Sequence, residues 1–132
     1  MAVKQRFMLD TNAVRVLLER RSPQLDQWFA EERCSLSAIV AAEIRFGLAR
    51  QTLSKSRAAL VADLLDVLPI EPFDAKVSVT YGRLRAELQR LGLSLAAMDL
   101  LIAAHALVLD RPLLRCDQAF ANVLDLECVA VV

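Results

Sequence analysis

Glycine, proline, paired cysteine and an excess of either charge are all scarce in this chain of 132 residues. Three glycines and four prolines leave little material for long loops or low-complexity linkers, so long helices with short connections are expected. Three cysteines, Cys34, Cys116 and Cys128, are odd in number, far apart and without C-x-x-C spacing. That excludes a disulfide framework and a thiolate zinc site, and suits free thiols in a reducing cytosol. No apolar run approaches the roughly 18 residues that span a bilayer, and the opening "MAVKQRF" lacks a signal core, so a cytoplasmic protein without membrane contact is expected. Sixteen basic and sixteen acidic residues cancel. A protein of this balance can hold a polyanion only through a local patch or a metal ion.

What is abundant is apolar: 56% of the chain, above the roughly 45–50% of ordinary soluble domains. With one Trp, one Tyr and five Phe, the core must be built mostly of Leu, Ala and Val. Short apolar strands alternate with amphipathic helices. "FML" reads as a strand ending at Asp10, and a helix follows over 11–21. Ser22-Pro23 opens a second helix to residue 32, with serine as cap and proline in the first turn. "CSLS" is a brief strand, after which Ser37 caps a helix over 38–51. Ser54 or Ser56 caps the next helix, and a short strand lies between Pro69 and Pro72. Asp74 caps a helix whose Val77, Tyr81, Leu84, Leu88 and Leu91 share one face. Gly92 stands where a left-handed residue should close it. An almost wholly apolar helix over 95–110 precedes strands at "PLLRC" and "LECVAVV". The alternation implies one α/β domain over residues 1–132, with a mainly parallel sheet and helices on both faces.

Four acidic residues sit where charge is out of place. Asp10 ends an apolar strand, at the sheet edge where parallel folds bind ligands; as a plain alternative it caps the helix from Asn12 onward. Asp99 interrupts residues 95–104, otherwise Leu, Ala, Met and Ile, where a charge is costly unless it is paired, hydrogen-bonded or bound to metal. Its place near the helix start favours the ionised form. Glu43 is flanked by Ala42 and Ile44, with the small Gly47 one turn later; pairing with Arg45 or Arg50 is its structural alternative. Asp117 follows "PLLRC" directly, at another strand tip. Carboxylates brought together at one sheet edge raise each other's pKa. A hard divalent cation resolves that conflict, because Mg²⁺ or Mn²⁺ prefers oxygen ligands.

The segments "MLDTN", "AAEIRFG", "MDLLIAAHAL" and "CDQAF" resemble, in order and spacing, the signature segments of PIN-domain ribonucleases, most closely VapC-type toxins of bacterial toxin–antitoxin pairs. The resemblance covers nearly the whole chain. It implies a PIN-like three-layer sandwich and a metal-dependent endoribonuclease using Mg²⁺ or Mn²⁺. By position, Asp10, Glu43, Asp99 and Asp117 match the family's acidic quartet. Thr11 and Asn12 match the hydroxyl and polar residues beside its first acid. It further implies an RNA substrate, a VapB-type antitoxin lying across a groove near the site, and a homodimer or a larger toxin–antitoxin assembly.

One segment departs from the pattern. Relatives commonly read V-T-N-D where this chain has Leu114-Arg115-Cys116-Asp117. Arg115 can reach a scissile phosphate, or it can pair with Asp117 or Asp99 and weaken metal binding. The second case defines the alternative function, a PIN-like module that binds RNA or a partner without cutting. His105 reads as a core or interface histidine. The helix over 38–51 and the Leu60–Leu68 helix carry more apolar surface than one buried stripe needs, and are the expected groove walls. Candidate contacts for nucleic acid are Arg83, Arg85, Arg90, Lys55, Arg57, Arg45 and Arg50. A haloacid-dehalogenase phosphatase is excluded by Asn12, where a second Asp is required. A receiver domain is excluded by the want of its acid pair and late lysine.

Overall fold

The computed structural model describes residues 4–115 and 118–131. Its elements, in chain order, are β1 (Phe7–Leu9), α1 (Thr11–Leu18), α2 (Pro23–Ala30), β2 (Cys34–Ser37), α3 (Ala38–Ala49), α4 (Lys55–Val67), β3 (Ile70–Glu71), α5 (Ala75–Arg90), α6 (Ala97–Leu109), β4 (Leu113–Arg115) and β5 (Cys128–Ala130). The strands form one sheet in the order β3-β2-β1-β4-β5, with every pair parallel.

The caps fall where the side chains predict. Ser22, Ser37, Ser54 and Asp74 each accept a backbone N–H in the first turn of α2, α3, α4 and α5. The helix ends do not fall where expected. The chain turns left-handed at Arg20, Glu32, Gln51 and Asp110, all with φ between 53° and 59°. Helices α1, α2, α3 and α6 therefore stop one to three residues short of the ranges 11–21, 22–32, 38–51 and 95–110. Only α5 closes on a glycine, Gly92, at φ 70°. Scarcity of glycine has not removed left-handed turns; it has placed four of them on residues with a Cβ, at a backbone cost of about 1 kcal/mol each.

Chain direction across the sheet reverses at β1. The connections from β1 to β2 and from β2 to β3 step one way, and the connection from β3 crosses back to β4 on the other side of β1. Right-handed crossovers then put α5 and α6 on the face opposite α1, α2 and α4. The result is a three-layer sandwich around a sheet whose Met8, Leu9, Leu36, Leu113 and Leu114 have no exposed surface. The crevice between the carboxyl ends of β1 and β4 is the topological switch point.

Register fixes which side chains look toward α6. Met8 pairs with Ser35 and with Leu113, Ser37 with Glu71, and Arg115 with Ala130. Alternation along each strand puts Met8, Ser35, Ser37, Leu113 and Arg115 on one face. The hydrogen bond between Ser37 Oγ and His105 Nδ1, 2.7 Å, identifies it as the α6 face. Asp10 continues β1 in extended conformation (φ −79°, ψ 175°), so it joins Met8 on that face.

Candidate active site

Asp10 is delivered to the switch point by the sheet itself. Its N–H donates to the Leu114 carbonyl at 3.0 Å, and its side chain is 5% exposed. Its Oδ1 accepts the Ala13 N–H at 2.6 Å. The capping alternative is thus realised, with α1 beginning at Thr11 rather than Asn12. Thr11 is half-buried and Asn12 exposed.

Asp99 lies in the first turn of α6, whose N-cap, Ala96, offers no side-chain acceptor. Glu43 lies midway along α3, and both acids are half-buried. Burial and then the charge of Asp99 push the Glu43 carboxyl above its ordinary range. The two carboxylates therefore act on each other across the α3–α6 contact. Pairing of Glu43 with Arg45 or Arg50 does not occur: Glu43 joins none of the ion pairs among the described residues. Arg50 instead lies over the Phe46 ring, 5.0–5.5 Å being the usual range for such stacking and 5.3 Å the distance found. A Cβ at Gly47 would meet nothing within 4 Å, and the space beside it is part of a groove of about 260 Å³ that Val14, Ile44, Leu53 and Val61 also line.

Asp117 and Cys116 lie outside the described residues. Arg115 ends β4, half-buried, with its Nε enclosed and without a hydrogen-bond partner. Among the described residues it forms no ion pair. Among the described residues, too, no three His, Cys, Asp or Glu side chains gather closely enough to hold a metal ion. The donors that are described are all carboxylate oxygens, the set that Mg²⁺ and Mn²⁺ favour over softer metals.

Two polar links beneath the crevice were not foreseen. His105 has no exposed surface; its ring meets Ser37 Oγ at 2.7 Å and Phe73 edge-on, centroids 5.6 Å apart. Burial holds the imidazole below its ordinary range, against the pull of Glu71 and Asp74. The core reading of His105 is right, but its partner was missed. The available signal was an apolar helix with a lone histidine, which must find a polar group on a neighbouring element. Arg111 donates to Glu71 Oε1 at 2.9 Å and to Ser35 Oγ at 3.0 Å.

Away from the crevice, a larger groove of about 520 Å³ is lined by Leu17, Leu18, Phe29, Leu60, Leu64 and Val67 among others. Helix α4 forms one wall, as expected. The facing wall is α1 and α2, whereas α3 borders the smaller groove next to it.

An acid at the tip of β1, two more on helices α3 and α6, and a parallel sheet that reverses direction beside them are the features of a nuclease-like α/β crevice. Residues 7–125 match the PIN domain model, and the chain belongs to the PIN-domain family. Within that family it is similar to Ribonuclease VapC2 of Rickettsia felis, 31% identical over 105 residues, covering 76% of this chain and 78% of the relative. Ribonuclease VapC2 of Haemophilus influenzae is 30% identical over 103 residues with the same coverage. Among solved structures, VapBC2 from Rickettsia felis bound to a DNA fragment from their promoter superimposes with a TM-score of 0.82 at 25% identity, over 96% of this chain and 98% of that one.

Proposed function

We propose that the chain is an endoribonuclease toxin of a toxin–antitoxin pair, hydrolysing RNA phosphodiester bonds with Mg²⁺ or Mn²⁺. The observation that carries the chemistry is Glu43, whose carboxyl is pushed upward by burial and by Asp99. Two half-buried acids that oppose each other's ionisation are a site that a divalent cation would relieve. Its relatives named Ribonuclease VapC2 support the same activity.

Asp10, Glu43 and Asp99 would supply oxygen ligands, with Asp117 completing the set or orienting the attacking water. When bound, the ion supplies an acidified water and stabilises charge growing on the phosphate oxygens. The chain's own residues do the remaining work. Asp10 is held by the Leu114 carbonyl and the Ala13 amide. Thr11 and Asn12 follow it at the start of α1 and support it. Arg115 shares the sheet face of Asp10 and forms no ion pair with the described residues. That favours the assisting role, in which its guanidinium meets the scissile phosphate, over the role that weakens the metal site.

The partner is a VapB-type antitoxin, as in the VapBC2 complex of similar fold. The groove between α4 and the α1–α2 pair is its docking surface, because it gathers Leu60 and Val67, 55% and 66% exposed, beside Leu17 and Phe29. The whole chain acts as one PIN-like domain, as a homodimer in the cytoplasm. No described helix is long and apolar enough to cross a membrane.

The test is cleavage of end-labelled total RNA with Mg²⁺ or Mn²⁺, wild type beside Asp99→Asn. Discrete cuts that need the metal, stop with EDTA and vanish in the variant are expected. Equal background from both proteins would reject the nuclease reading. In thermal denaturation, a cation at a hundred times its Kd should add about 2.7 kcal/mol, and Asp99→Asn should blunt that gain.

A further inference from the structure

Helices α3 and α6 meet at two places. Ser37, the N-cap of α3, bonds to His105 in the interior of α6. Glu43, in the interior of α3, feels the charge of Asp99 in the first turn of α6. The start of each segment thus faces the interior of the other, so they pass in opposite senses. The two meeting points are six residues apart on both segments, about 9 Å along a helix. One is attractive and the other repulsive.

The attractive one is built as a closed chain of bonds. Ser37 Oγ accepts the Ile39 N–H at 3.1 Å, capping α3, and its hydroxyl proton remains to reach His105 Nδ1 at 2.7 Å. Ser37 and His105 have no exposed surface, so water does not compete for either. Phe73 closes on the ring from the side. Complete burial also denies His105 any contact with substrate, so what it contributes to the site must pass through position.

We propose that the Ser37–His105 hydrogen bond is a positioning clamp that holds α3 and α6 in register, so that Glu43 and Asp99 face each other before any cation arrives. The inference rests on the reading of those acids as metal ligands, and it adds two positioning residues to the site. Without the clamp the acid pair, which repels, would spread the helices until a cation drew them back. The cation would then bind more weakly by the cost of that closure.

The test separates the clamp from the metal reading. In a chain with Cys34→Ala, Cys116→Ser and Cys128→Ser, nitroxides are placed on the exposed positions Arg45→Cys and Met98→Cys, and the α3–α6 distance is measured by pulsed electron resonance in EDTA. Mn²⁺ affinity is measured by calorimetry without the labels. Ser37→Ala should broaden the distance distribution and weaken Mn²⁺ by about tenfold, the usual effect of losing an outer support. Ser37→Thr, which keeps the hydroxyl, should restore both. If Ser37→Ala folds poorly, His105→Asn, whose amide reaches the Nδ1 position, should retain the narrow distribution that His105→Leu loses. A merely structural bond would lower the melting temperature of Ser37→Ala and leave distribution and affinity unchanged, and that result overturns the proposal. A wild type that ignores Mn²⁺ while Ser37→Ala still broadens would remove the metal reading and leave the clamp standing.

Discussion

Two polar clusters share the α6 face of the sheet, and they are built on opposite rules. Around Arg111 charge is balanced: its guanidinium meets Glu71 at 2.9 Å and Ser35 at 3.0 Å, and Ser35 passes its own proton to the Phe7 carbonyl at 2.7 Å. At the carboxyl edge Asp10, Glu43 and Asp99 are all of one sign, and Glu43 is pushed up by burial and by its neighbour's charge. The first cluster satisfies itself and serves the fold. The second is assembled at a cost in stability, a cost the fold has no reason to bear unless something from outside joins it.

The comparison is sharpest at Asp10, which has a part in both kinds of work. It caps α1 through Ala13 and stands at the switch point. Asparagine caps a helix as well as aspartate does, so Asp10→Asn should separate the two. Cleavage should fall on the order of 100-fold or more, while the denaturation midpoint in EDTA stays level or rises. Asp10→Ala should lose the same activity and, in addition, about 1 kcal/mol of stability with the cap. If Asp10→Asn cleaves at the wild-type rate, the acid belongs to the fold alone.

Arg111 tests the other side. Arg111→Ala strands Glu71, whose side chain is 23% exposed, and takes a donor from Ser35. Urea denaturation should show a loss of about 1–3 kcal/mol, the penalty of an unsatisfied, partly buried polar group. RNA cleavage per folded molecule should hold. A loss of activity without a loss of stability would break the distinction between the clusters.

How much of this could be read from the residues depends on whether the signal was local. The β1 tip, the serine and aspartate caps and the proline-bounded strand β3 each announce themselves within a few positions, and each is found in place. The resemblance to PIN-domain nucleases is confirmed over residues 7–125. Four helix ends were not legible, because the chain turns left-handed at Arg20, Glu32, Gln51 and Asp110 without the glycine that normally marks such a turn. Partners distant in sequence were illegible for another reason. Nothing near Ser37 indicates a histidine 68 positions away, and nothing near Ser35 indicates Arg111, 76 positions away; only the assembled sheet brings them together. The facing of Glu43 and Asp99 belongs to the same class.

Glu43 allows the smallest and most discriminating test. Its raised pKa means that the folded chain holds the Glu43 proton more tightly than the unfolded chain does. Stability from this group is therefore present at low pH and lost as the pH rises past the ordinary carboxylate value and through the raised one. Glutamine carries no such cost. In EDTA at pH 7.5, Glu43→Gln should melt higher than wild type by about 2 °C, a small shift for a domain of this size, and the advantage should vanish near pH 4, where wild-type Glu43 is protonated. Adding Mn²⁺ at pH 7.5 should reverse the order, since the ion stabilises the chain that offers the carboxylate and gives less to the one that does not. A variant that is less stable than wild type in EDTA as well would mean that Glu43 is satisfied within the fold, in the manner of Arg111, and that the two clusters follow one rule after all.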